Sequence, residues 1–351
     1  MQPAILLVLA MEVFLTQPTR TKKALAMWLL GAACLAPPYA TTQDVTTLLV
    51  STQLVLLDAS VQRKKTGQPI GDLTLADFVL QEDGVPQRLT YLSQDHLPLS
   101  IVFLFDLTDS VQPILKPLAA GTREVLTHLK PEDEVAIMGF SSRTMLLQDF
   151  TTDRSLAATA VLKASEMKDQ EGTFIHEDMY EAVNQALHAK ITGSRRVLVW
   201  LTDGSANAQN RFSQKTIGEH SPQYLHSRQE ATDKLTHSDV VTSALIEHSA
   251  AGDAIVALAY LGGGHMGDIH HYADLTGGPV LETSRPKVAA RLAVLIDELR
   301  QRETLGYKPI PTKPPGTYCK IKLQLSPSFF ARHPEIKRGD VLIRTRQGYY
   351  R

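Results

Sequence analysis

Between residues 99 and 301 the chain alternates short, wholly apolar runs with amphipathic stretches, and this alternation leaves few folds open. The runs LSIVFLFD, DEVAIMGF, RRVLVWLTD, DAIVALAYLG and GPVLET are apolar at successive positions, so a strand built from any of them must be covered on both faces. Between them lie helical patterns over 111–129, 154–167, 177–190, 238–250, 267–275 and 285–302. In the last of these, Val288, Leu292, Leu295 and Ile296 fall at i, i+4, i+7 and i+8, one stripe of a helix. Doubly covered strands alternating with helices predict an α/β fold with a doubly wound, mostly parallel sheet.

The flanks follow another period. Residues 45–95 read as strands, with Asp83-Gly84 between two apolar runs as a hairpin turn that needs positive φ at both positions. Residues 305–351 return to strand alternation, with Cys319, Ile321, Leu323 and Leu325 on one face and Lys320, Lys322 and Gln324 on the other. Neither flank has enough strands to close a core alone. They are therefore expected to pair into a small flanking β-sandwich built from the N- and C-terminal segments. The expected division is 41–97, 98–303 and 304–351, with the α/β unit inserted into the sandwich.

Residues 20–40 have the layout of a secretory signal: basic Arg20, Lys22 and Lys23, an apolar stretch from Ala24 to Ala36, then small residues ending at Ala40. That 13-residue stretch would span about 20 Å as a helix, short of the roughly 30 Å hydrocarbon core. Region 1–40 is thus expected to be a signal region, with an uncleaved anchor as the alternative. The apolar run before the basic cluster suggests a start downstream, for example at Met11. The expected location is outside the cytoplasm, periplasmic or secreted, with no integral span in the mature chain. With 36 basic and 37 acidic residues, net −1, the chain lacks the basic excess of a nucleic-acid binder. Two cysteines make no disulfide framework.

Three loops carry oxygen ligands. The strand IVFLFD runs into Asp106-Leu107-Thr108-Asp109-Ser110; Glu171-Gly172-Thr173 precedes a helix; Thr202-Asp203-Gly204 follows the strand VLVW. In a doubly wound sheet these loops share the carboxyl edge, where ligands bind at the point of strand-order reversal. Two carboxylates and three hydroxyls suit a hard cation, Mg²⁺ first, with Mn²⁺ and Ca²⁺ as alternatives. An open position on such an ion would attract a carboxylate from another protein.

The DxTxS loop after an apolar strand, the GT before a helix and the TDG after a later strand resemble the von Willebrand factor A-type domain, whose Rossmann-like sheet carries a metal-ion-dependent adhesion site. The flanks LVLLDASV…DFVLQEDGVPQ and ETLGYKP…RTRQGYY are similar to von Willebrand A-related proteins typical of Acidobacteria. The resemblance implies a metal site of Asp106, Thr108, Ser110, Thr173 and Asp203, and an adhesion or assembly module rather than an enzyme. The three hydroxyls would be ligands, and the two carboxylates would act largely through water or by orienting the hydroxyls. The chain departs from the pattern in Thr108, where Ser is usual, and in Glu171, where Gly is usual.

Two other functions compete. A metal-free scaffold in an envelope assembly would keep these loops for structure alone. A phosphatase of the haloacid-dehalogenase type would use Asp106 as nucleophile, but the second acid it needs is replaced by Thr108. His265, His270 and His271 read as solvated, Cys319 as a buried small hydrophobe, and the polar stretch 205–237 as a long insertion above the metal edge.

Overall fold

The computed structural model describes residues 54–94, 97–109, 111–141, 143–167, 174–203, 225–247, 267–311 and 313–351. All of them belong to one compact unit, Thr52–Arg351. The expected signal region, DAIVALAYLG, most of the 205–237 insertion and His265 lie outside the described residues.

The central sheet is made of β5 (Leu99–Asp106), β6 (Glu134–Phe140), β7 (Thr144–Thr151), β8 (Arg195–Thr202), β9 (Val241–Glu247) and β10 (Val280–Thr283), in the order β10-β9-β8-β5-β6-β7. Every neighbouring pair is parallel except β6 and β7. β5 shows why the apolar runs fold this way. Leu99, Ile101, Phe103 and Phe105 enter one core, while Val102 and Leu104 enter the core on the opposite face. The first core is closed by α1 (Gln112–Thr127), α2 (Arg154–Glu166) and the helix Val288–Arg300. The second is closed by α3 (Ile175–Ala186), α4 (Arg228–Thr236) and α5 (Gly267–Thr276). Numbering continues with α6 (Val288–Arg300) and α7 (Pro327–Arg332).

The structure corrects one helix. The segment expected to be helical over 238–250 forms β9 across Val241–Glu247, buried along its whole length. Its VTSALIE sequence is rich in residues that favour a strand, and a both-face apolar run gives no period by which to tell strand from helix. The helix in this region lies earlier, as α4, inside the stretch read as polar insertion. There the Ser227 side chain accepts from the Glu230 N–H, while the Glu230 carboxylate accepts from the Ser227 N–H at 2.7 Å, a reciprocal capping box.

Two antiparallel sheets flank this unit. One has the order β13-β1-β11-β4 and the other β14-β12-β2-β3. Their strands are β1 (Val55–Arg63), β2 (Phe78–Glu82), β3 (Val85–Gln87), β4 (Leu89–Ser93), β11 (Glu303–Tyr307), β12 (Tyr318–Leu325), β13 (Val341–Thr345) and β14 (Gly348–Tyr350). β1 sits between two strands from the far end of the chain, pairing with β11 and with β13. The sheets face each other across one core that includes Leu57, Leu305, Tyr307, Leu80 and Ile321. Cys319, Ile321, Leu323 and Leu325 point inward as the alternation predicts. Asp83 and Gly84 take φ of 49° and 82° and turn β2 into β3.

Buried arginines join sandwich and α/β unit. Arg195, at the start of β8, places Nε 2.9 Å from Asp58 Oδ2 on β1 and also donates to the Leu299 and Arg302 carbonyls. Arg302 donates to the Gly277 carbonyl at 2.8 Å. Gly277 itself has φ 70° and lies so close to the Thr345 backbone that a Cβ would collide with it.

Candidate functional site

β5, β6, β8 and β9 end on one edge, since Asp106 is level with Phe140 and Thr202 with Ile246. After β5 the chain crosses to β6 on one side and later returns to β8 on the other. The reversal of strand order therefore falls at β5 and β8, and leaves a crevice at their carboxyl ends. Asp106 and Thr202 close those two strands, and Asp203 follows directly.

Asp106 is 2% exposed, and its two oxygens do different work. Oδ1 accepts the Thr108 backbone N–H at 3.0 Å and the Thr108 hydroxyl at 2.6 Å. Oδ2 accepts the Thr202 hydroxyl at 3.0 Å. Burial raises the Asp106 carboxyl to about 6; the hydrogen bonds from Thr108 and Thr202 oppose the rise, and the Asp203 charge adds to it. The position is thus inside the sheet edge rather than on an exposed loop rim.

Asp106, Thr108 and Asp203 are brought to this edge. Ser110, Thr173 and Glu171 lie outside the described residues. Asp109 is exposed to solvent.

Two neighbours were not foreseen as members of the site. Thr202 precedes Asp203 and holds the second oxygen of Asp106. Asp178 lies in the first turn of α3, fully buried, with Oδ1 accepting the Thr144 hydroxyl at 2.6 Å. Its Oδ2 is buried without a hydrogen-bond partner among the described residues. Burial, opposed by the Thr144 hydrogen bond and reinforced by Asp106 and Glu177, pushes the Asp178 carboxyl well above its ordinary value. The sequence carried a signal for it. Asp178 falls on the stripe of Ile175, Met179, Ala182, Val183 and Ala186, where an acid has no packing reason to be.

Chemically, the edge offers hard oxygen donors and buried acids that repel one another, with Asp106 fixing the orientation of the Thr108 hydroxyl. Such a set gains from a small divalent cation and offers nothing to a soft one.

The five parallel strands and the antiparallel edge strand β7 form a doubly wound α/β sheet with Asp106 and Thr108 at its switch point. No family model and no curated protein matches the chain. Solved structures similar to it include the conserved hypothetical protein BatB from Bacteroides thetaiotaomicron, 13% identical over 57% of this chain and 97% of that one, TM-score 0.38. Another is the vWF domain of the type V pili tip protein Mfa5 from Porphyromonas gingivalis, 12% identical over 59% and 95%, TM-score 0.39. A third is proximal thread matrix protein 1 from the mussel byssus with a zinc-occupied MIDAS motif, 12% identical over 62% and 49%, TM-score 0.41. Among the described residues no helix is long and apolar enough to cross a membrane.

Proposed function

We propose that the protein is an exported binding module that captures a partner protein at the carboxyl edge of its parallel sheet, through a divalent cation. Asp106, Thr108, Ser110, Thr173 and Asp203 would hold that ion, Mg²⁺ in the first instance. The observation that carries this reading is Asp106, buried at the switch point, with one oxygen locking the Thr108 side chain and Asp203 near enough to raise its pKa. When bound, the ion supplies an electrophilic position for a carboxylate of the partner. Asp106 positions the Thr108 hydroxyl, and Thr202 keeps Asp106 from turning away. Binding rather than turnover also fits Thr108, which leaves the loop without a second acid for phosphate chemistry.

Calorimetry tests the reading. Mg²⁺ should bind the wild-type chain, and Asp203→Asn should weaken it by about tenfold or more. Equal binding by both would remove Asp203 from the site. A partner captured equally well in excess chelator would instead favour the metal-free scaffold.

A further inference from the structure

A second set of ligands lies beside the first, on the outer part of α3. Glu177, Glu181 and His226 bring one ligand atom each to within 4.8 Å of one another, and all three are partly open to solvent. Glu177 and Glu181 are one turn apart on the same helix face, a like-charge pair that destabilises a helix unless a cation sits between them. Glu177 Oε2 accepts from the His226 ring at Nδ1, 2.8 Å away, and from the His226 backbone N–H at 2.7 Å. The Tyr180 ring stacks on the imidazole at 3.5 Å between centroids, and Lys234 Nζ lies over the Tyr180 ring, 5.1 Å from its centroid. The imidazole is thus held in place by hydrogen bonds and stacking before any ion arrives.

The distances suit a metal. In a tetrahedral zinc site with bonds of about 2.0–2.1 Å, neighbouring ligand atoms are roughly 3.3 Å apart. The 2.8 Å between Glu177 Oε2 and His226 Nδ1 is half an ångström inside that edge, so an ion could replace the proton with little movement. A second observation points the same way. Glu177 and Glu181 line a cavity of about 350 Å³ together with Asp178, Arg143 and His188. Asp178 is wholly buried there, and its Oδ2 is without a hydrogen-bond partner among the described residues. Glu177 and Glu181 bring two carboxylates to one face of α3 with the His226 imidazole against one of them, a donor set that a divalent cation would complete.

We infer that Glu177, Glu181 and His226 form a second divalent-cation site, selective for zinc. One imidazole with two carboxylates is a borderline donor set, which zinc takes with a fourth position left to water. Mg²⁺, which prefers oxygen alone and keeps its waters, competes poorly there. The bound ion ties α3 to the residue that leads into α4, across the gap between the two helices. It shares no ligand with the Asp106 loop and does not depend on that loop holding an ion.

Zinc alone is the probe. The full-length chain is stripped with chelator and titrated against a chromophoric zinc indicator, alongside a Glu181→Gln/His226→Gln double variant and Asp106→Asn. The expected result is a zinc equivalent present in wild type and in Asp106→Asn but lost from the double variant, with an excess of Mg²⁺ failing to displace it. Cobalt(II) in its place should give the intense visible bands of a tetrahedral site in wild type and in Asp106→Asn, and not in the double variant. The inference is overturned if the double variant binds zinc as well as wild type, or if none of the three binds it. It is also overturned if Asp106→Asn alone loses the equivalent, since zinc would then belong to the adhesion loop. Glu181→Ala, a single change at a partly exposed position, gives the same reading if the double variant does not fold.

Discussion

Asp106 Oδ1 accepts both the backbone N–H of Thr108, at 3.0 Å, and the Thr108 hydroxyl, at 2.6 Å. The hydroxyl hydrogen is committed to the carboxylate, so the lone pairs of Thr108 are turned away from it. The added methyl of a threonine restricts χ1 and keeps that orientation.

Thr108→Val keeps the shape and removes the oxygen. It should lower Mg²⁺ affinity by about tenfold or more, while costing only about 1 kcal/mol of stability in chelator. Thr108→Ser should keep both. Calorimetry and urea unfolding measure the pair, and full Mg²⁺ affinity in the valine variant would separate Thr108 from the site.

The burial of Asp106 changes what its replacement should do. Alanine leaves the Thr108 N–H, the Thr108 hydroxyl and the Thr202 hydroxyl without their acceptor, at a cost of about 1–3 kcal/mol. Asparagine can accept from Thr108 and donate to a turned Thr202 hydroxyl, so it should stay within about 1 kcal/mol of wild type. Both should lose Mg²⁺. Urea unfolding in chelator ranks them, and an alanine variant as stable as wild type would contradict the hydrogen bonding described.

The α/β sheet was largely legible because its strands are constrained on both faces. β5 and β8 are eight-residue runs with no exposed position, and no other element accepts such a run easily. β7 was not read, since TMLLQDFT at the sheet edge mixes polar and apolar residues without a clean period. β9 has no period at all by which a strand could be told from a helix. The flanking strands were legible from the Asp83-Gly84 turn and the Cys319–Leu325 alternation. The places of Asp106, Thr108 and Asp203 at the sheet edge were legible because each lies at or just beyond the end of an apolar strand run. Thr202 and Asp178 were not, because their roles depend on which strands and helices become neighbours.

Asp58 should matter more than its half-buried setting suggests. It accepts from Arg195, whose guanidinium side chain is 1% exposed, and from the Thr304 hydroxyl at 3.2 Å. Asp58→Ala strands a buried cation between sandwich and α/β unit, and should cost about 3 kcal/mol. A loss under about 1 kcal/mol in urea unfolding would mean that the pair contributes little.

Stability should fall as pH rises from about 4.5 to about 7, in part through Glu303 at the start of β11. Burial lifts its carboxyl from 4.5 to about 7; the hydrogen bond from Gln94 opposes this and the Asp77 charge adds to it. Below the unfolded value both states hold the proton and nothing is lost. Between the two values only the unfolded chain ionises, and that favours unfolding. Glu303→Gln should therefore be near neutral at about pH 4 and stabilising by about 1 kcal/mol at about pH 8, less than the full shift implies because water reaches part of the site. Equal effects at both pH values would contradict the raised carboxyl.

The pairing of β1 with strands from the far end of the chain predicts a dependence between distant segments. β1 has its two partners in β11 and β13. A fragment of residues 98–303 should unfold in urea with a smaller m-value than the chain from residue 54 to 351, because it exposes less surface. Equal m-values would mean that the flanking strands add no cooperative core.

The proposed divalent ion would sit at the carboxyl edge between β5 and β8. A crystal grown with Mn²⁺ and measured for anomalous scattering tests it directly. A single strong peak is expected beside the Thr108 hydroxyl and Asp203, missing in Asp106→Asn. An edge with no peak at saturating Mn²⁺, or a peak unchanged in that variant, would contradict it.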